Sequence, residues 1–109
     1  MELIYSYWTG SYNDVLETLT RSIGQYNRHN KKVKIGVTNY PERRVGEHSR
    51  SKVKWDCMVV IYKTTSVNFV TKLEIIQIKN HWEKITNDIN GGGGPVGDGK
   101  QYLYVLLKK

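Results

Sequence analysis

The run Cys57-Met58-Val59-Val60-Ile61 is apolar without a break. Such a run reads as a buried strand, here from Trp55 to Tyr62, and a buried strand must be covered by other elements. The flanking sequence supplies them. Residues 2–8 are apolar and aromatic and suit a strand, which Thr9-Gly10-Ser11 ends. Asp14 with Glu17 three residues later marks a helix start. Val15, Leu16, Leu19, Ile23 and Tyr26 follow at helical spacing, predicting a helix from Asp14 to Tyr26, and polar residues 27–32 read as a loop.

Val33 to Val37 reads as a second strand. If Val33, Ile35 and Val37 face the core, Lys34 and Gly36 face the other way. After the turn Thr38-Asn39-Tyr40-Pro41, Pro41 suits the first turn of a helix carrying Arg43, Arg44, Glu47 and His48, which Gly46 weakens. A basic loop leads to the strand at 55–62. Thr64-Thr65-Ser66 reads as a turn with a cap, opening a helix from Asn68 to Lys84. Its apolar residues fill more than one stripe, which predicts burial on more than one side. A glycine-rich loop from Gly91 to Gly99 precedes a last strand, Gln101 to Leu107. The expected fold is α/β of the α+β kind, a single domain over residues 1–109. It is a small, mixed and mainly antiparallel sheet of three to four strands flanked by helices.

Composition narrows the function classes. Seventeen Lys and Arg against ten Asp and Glu give a formal charge of +7 over 109 residues, which favours a polyanionic partner such as DNA. No apolar run is long enough to span a bilayer, so no membrane partner is expected. The N-terminus lacks the basic and apolar segments of a signal peptide, so an intracellular, cytoplasmic protein is the expectation. The single cysteine, Cys57, excludes an internal disulfide, and its apolar surroundings predict a buried, inert thiol.

Arg44 and His48, four apart on one helix, share a face. Lys34 and Gly36 share a strand face, where the glycine permits close approach of a backbone or phosphate. Together these residues suit a phosphate: arginine offers two parallel hydrogen bonds, lysine a point charge, histidine a proton exchange near neutrality. The plainer alternative is a solvated basic helix edge. Glu74 lines up with Val70 and Ile78, so its carboxylate falls in an apolar stripe, where it must pair or hold a cation. It could also sit at the stripe edge and reach water or a lysine. A magnesium-type ion is satisfied by one or two carboxylates plus substrate oxygens. His29, His48 and His81 are too dispersed for a zinc motif, and the glycine run lacks the ending of a P-loop.

The run Lys34-Ile35-Gly36-Val37-Thr38-Asn39-Tyr40-Pro41-Glu42-Arg43-Arg44-Val45-Gly46-Glu47-His48 resembles the second half of the GIY-YIG nuclease signature, with lysine in place of its tyrosine. In that family a strand ending in this motif leads through a turn into a helix bearing an arginine, often with a histidine four residues on. Arg44 and His48 match that pair. Leu73-Glu74-Ile75-Ile76 resembles the context of the family's metal-binding glutamate. Asn87 before Gly91-Gly92 resembles its later asparagine, with Asn90 as runner-up. Leu3-Ile4-Tyr5 fits the position of the first motif, with Tyr7 as a second candidate for its tyrosine. A helix then stands where the family has a short hairpin between the two motifs.

The resemblance implies an endonuclease that hydrolyses DNA phosphodiester bonds with Mg2+ or Mn2+. Glu74 would hold the metal and Arg44 the scissile phosphate. Tyr5 would activate or orient water, its pKa lowered by Lys34. His48 would assist proton transfer or bind phosphate, and Asn87 would orient groups around the site. Lys31, Lys32, Arg43, Arg50, Lys52 and Lys54 would contact DNA without reading sequence. A bare catalytic domain cuts loosely, recognises DNA structure or acts as a homodimer, and its small size is compatible with a phage- or virus-encoded enzyme acting in a host cell. Two other readings stand beside it: a catalytically inactive DNA-binding module on the same fold, and a basic protein-binding factor.

Overall fold

The apolar run forms the strand Cys57–Thr64, whose residues from Cys57 through Tyr62 are buried whichever way they point. It acquires cover because it lies inside a four-stranded sheet with helices on both faces. The computed structural model describes residues 1–87 and 99–109; the glycine run Gly91 to Gly94 and Asn90 lie outside the described residues. In chain order the elements are β1 (Glu2–Trp8), α1 (Tyr12–His29), β2 (Lys32–Thr38), α2 (Pro41–Ser49), β3 (Cys57–Thr64), α3 (Val67–Asn80), a 3-10 turn (Trp82–Lys84) and β4 (Gln101–Lys108). The protein is a small α+β domain.

The strand order is β1-β3-β4-β2. β1 pairs with β3 in parallel, and β4 pairs antiparallel with both β3 and β2. β1 and β2, consecutive in sequence, therefore occupy opposite edges, and α1 carries the chain from one edge to the other. A short hairpin joins only neighbouring antiparallel strands. This topology thus requires a long crossover between the two strands, and α1 supplies it.

The two faces differ. On one, α1 and α3 pack on the sheet through Val15, Leu19, Ile23, Val70, Leu73 and Ile78, over inward residues that include Val33, Ile35, Val59 and Val105. Burial of side chains this size drives folding at about 1.5–3 kcal/mol each. Gln77, fully buried, donates from Nε2 to Thr20 Oγ1 at 2.9 Å, tying α3 to α1. On the other face a smaller cluster, Trp55, Met58, Val60, Tyr104 and Leu106, lies against Val45 of α2 and Val53 of the following loop.

Several boundaries differ from the sequence reading: the strand read from Trp55 to Tyr62 runs from Cys57 to Thr64, and two helices shift their ends. Helix α1 begins at Tyr12 because Ser11, whose N–H donates to the Asp14 carboxylate at 3.3 Å, closes its first turn. It also runs on to His29, since polar residues 27–29 remain helical while their side chains reach solvent or other elements. Asn27 contacts His81, and Asn30 just beyond bonds back to the Tyr26 carbonyl. Helix α3 stops at Asn80 and is buried along one stripe (Val70, Leu73, Glu74, Gln77 and Ile78), leaving Ile75 43% exposed. Its cap is as expected: Ser66 Oγ accepts from the Phe69 N–H at 3.1 Å. Among the described residues no helix is long and apolar enough to cross a membrane.

Candidate functional site

The registers set one row across the sheet: Tyr5 opposite Val60, Val60 opposite Tyr104, and Tyr104 opposite Gly36. All four lie on the face that α2 covers. A side chain at position 36 would collide with the Tyr104 ring, since a Cβ built there meets its Cζ and hydroxyl. The close approach that the glycine permits is therefore made by a tyrosine of the neighbouring strand.

Tyr104 is buried, and its hydroxyl reaches His48 Nε2 at 2.9 Å. The rings meet edge-on, with centroids 5.7 Å apart. His48 is placed by α2, which starts at Pro41, meets Tyr5 of β1 through Glu42 and reaches Tyr104 of β4 through His48. Burial, then the charges of Lys34 and Arg44, lower the His48 pKa to about 4. The imidazole is thus neutral at pH 7, so its unprotonated nitrogen can accept the Tyr104 O–H. Burial pushes the Tyr104 phenol up to about 12; Arg44 pulls it down, while Glu74 and Glu47 push it further up. Lys34 and Arg44 thus act on His48, and Arg44, Glu47 and Glu74 act on Tyr104, around the Tyr104–His48 bond beside Gly36. Arg44 Nη1 lies 3.5 Å from Glu47 Oε1, both side chains well exposed, so this cation remains accessible to an anion.

Other expected residues sit elsewhere. Tyr5 is two strands from Tyr104, about 10 Å by strand spacing. Its hydroxyl donates to Glu42 of α2. Burial and that carboxylate raise the Tyr5 pKa, and the bond holds Glu42 below its ordinary value. The Lys34 charge expected to lower Tyr5 falls on His48 instead, because β3 and β4 stand between Tyr5 and β2. Tyr7 is 41% exposed, with the Lys63 ammonium 5.5 Å above its ring.

Asn87 clamps backbone: its Oδ1 accepts from the Ile35 N–H at 2.9 Å and its Nδ2 donates to the Ile35 carbonyl at 2.8 Å. It fixes β2 one residue before Gly36 from the strand's outer edge. Lys31, Lys32, Arg43, Arg50, Lys52 and Lys54 are all exposed. Lys32 pairs with Lys108, and Cys57 with Leu107, so the loop carrying Arg50, Lys52 and Lys54 enters the sheet at the same end as Lys31 and Lys32. Cys57 is buried, and its thiol is pushed up by that burial.

Sequence reading missed Tyr104. The alternation Gln101 to Leu107 placed it on a strand but could not say which neighbour that strand takes. The resemblance places its motif tyrosine at Tyr5, or Tyr7, on the first strand. In this topology β4 and not β1 lies beside Lys34-Ile35-Gly36, and the tyrosine it brings opposite Gly36 is Tyr104. Among the described residues no group of three or more His, Cys, Asp or Glu gathers to hold a metal. The donor set is one carboxylate, Glu74, 7% exposed and within electrostatic reach of Tyr104. That fits an oxygen-preferring ion completing its shell with substrate and water, and does not fit zinc. Compared with known proteins, the chain matches no family model, no curated protein and no solved structure.

Proposed function

We propose that the protein is a divalent-metal-dependent endonuclease hydrolysing DNA phosphodiester bonds. The observation that carries this reading is the neutral pair formed by Tyr104 and His48 at 2.9 Å, beside Gly36 of β2 and within electrostatic reach of Arg44 on α2 and, for Tyr104, of Glu74 on α3. Arg44 binds the scissile phosphate and the charge that grows on it. Tyr104 orients the attacking water. As the water oxygen bonds to phosphorus, its proton passes to the Tyr104 oxygen while the phenolic proton moves to His48 Nε2. The P–O bond then breaks, and the cation formed on His48, disfavoured beside Lys34 and Arg44, sheds its proton to solvent or to the leaving oxygen. Glu74 would hold a magnesium- or manganese-type ion, which neutralises phosphate charge and stabilises the leaving oxygen.

Support comes from the +7 charge and its placement, with exposed basic residues at one sheet end and an accessible Arg44, and from a proton acceptor kept neutral at physiological pH. The test is nicking of supercoiled plasmid with Mg2+ or Mn2+. Wild-type protein should nick, Glu74→Gln should abolish nicking, and Tyr104→Phe should slow it about 10²–10⁴-fold, the range of general acid–base assistance. Tyr5→Phe should cut at the wild-type rate. DNA binding without nicking by wild-type protein would sink the enzyme reading and leave a binding module.

A further inference from the structure

Beside the Tyr104 row lies a second group of aromatics that the hydrolytic reading does not use. Tyr40 opens α2 and is 53% exposed, with the Arg43 guanidinium 5.8 Å from its ring centroid. Tyr102 lies on β4, opposite Thr38 and Lys63, and is partly exposed. The Tyr40 N–H donates at 3.1 Å to Oγ1 of Thr38, the residue opposite Tyr102, and Tyr5 donates to Glu42, two residues past Tyr40, so the three are linked through neighbouring positions. Tyr7, two residues on from Tyr5, carries Lys63 on its ring, and Lys63 is the register partner of Tyr102. Four tyrosines and two cations thus form one surface, next in register to the row holding Tyr104 and Gly36. A folded domain gains nothing from leaving large rings half in water, and a contiguous exposed aromatic patch marks a binding surface.

We propose that this surface stacks the unpaired bases of a single-stranded nucleic acid segment. The chemistry selects that occupant. Stacking needs an accessible π-face, which every base offers in a single strand and which a duplex hides between base pairs. Lys63 and Arg43, 5.5 and 5.8 Å from the Tyr7 and Tyr40 ring centroids, supply cations for the phosphates of a strand stacked there, and the net charge favours a polyanion. The proposal rests on the nuclease reading for the location of the scissile bond and deepens it. The substrate is a strand with unpaired nucleotides next to the phosphate that Arg44 holds, such as a flap, a gap or a frayed end.

The test is fluorescence anisotropy with a labelled single-stranded oligonucleotide and the same sequence as blunt duplex, both in EDTA so that nothing is cut. Wild-type protein should bind the single strand more tightly. Tyr7→Ala and Tyr40→Ala should each weaken single-strand binding by about five- to a hundredfold and leave duplex binding unchanged. Tyr7→Phe and Tyr40→Phe should bind as wild type, because the ring and not the hydroxyl is used. Far-UV circular dichroism checks that the variants are folded. Equal affinity for duplex, losses shared by duplex, or phenylalanine variants as weak as alanine would each overturn the proposal. Absence of binding to either oligonucleotide would overturn it too and point to a protein partner on these rings. The two readings fail separately. Single-strand preference without plasmid nicking removes the nuclease and keeps the surface, and nicking without that preference does the reverse.

Discussion

The two faces of the sheet are built on opposite rules. Beneath α1 and α3 the side chains are almost all aliphatic, and Gln77, a fully buried amide there, spends its donor on Thr20 of the facing helix. On the other face the short helix α2 carries His48 and Arg44 over tyrosines of the sheet, and much of that surface stays open. The first face supplies stability. The second spends part of it to hold polar groups near one another. A nine-residue helix that buries little of itself is weak cover, and so leaves room for a ligand.

The contrast predicts a graded set of responses. Leu73→Ala, at a fully buried position of the aliphatic face, should cost about 2–5 kcal/mol by chemical denaturation. Val45→Ala, at a half-buried position on α2, should cost clearly less, and equal losses would erase the distinction. Gly36→Ala should cost about 1–3 kcal/mol, as overpacking does, because the added methyl strikes the Tyr104 ring. It should also break the Tyr104–His48 bond and stop nicking. Gly24→Ala is the matched control: nothing lies near its Cβ within α1, so it should stabilise by about 0.5–1 kcal/mol.

A smaller effect is expected from pH. His48 stays neutral in the folded protein down to about 4, whereas in the unfolded chain it takes a proton near 6.5. Between those values the unfolded chain holds the extra proton, so acidification through this window favours unfolding. The loss should be roughly 1 kcal/mol after allowing for solvent around a half-buried ring, and should vanish in His48→Gln. The same shift predicts that nicking persists at pH 5.5 and fails only towards pH 4. An acid limb near 6.5 would mean that another group accepts the proton. The smallest effect belongs to the exposed Arg44–Glu47 pair: Glu47→Gln should change stability by less than about 1 kcal/mol.

The sequence revealed elements more readily than neighbours. Val33, Ile35 and Val37 point to the core because a period of two is written in their order, and Ser66 caps α3 because capping is local. Glu74 could be placed in a buried stripe from its spacing to Val70 and Ile78 alone. Strand adjacency is different, since it depends on which edges meet across distant parts of the chain. Tyr5 and Tyr104 look alike in sequence: each is a tyrosine on an apolar strand. Only the order β1-β3-β4-β2 decides that one meets Glu42 and the other meets Gly36 and His48. Asn87 was legible as a residue of interest, but its bonds to the Ile35 backbone depend on that same edge being free.

That clamp has a consequence for how copies of the molecule can meet. The Asn87 amide, with Thr86 donating its N–H to the Val33 carbonyl at 2.9 Å, occupies the outer border of β2 as an added strand would. Among the described residues β1 forms the other border and has no such stopper. A sheet that can be extended from one side only cannot propagate. Two copies joined border to border through β1 would present a blocked β2 at each end, so such growth terminates at a pair.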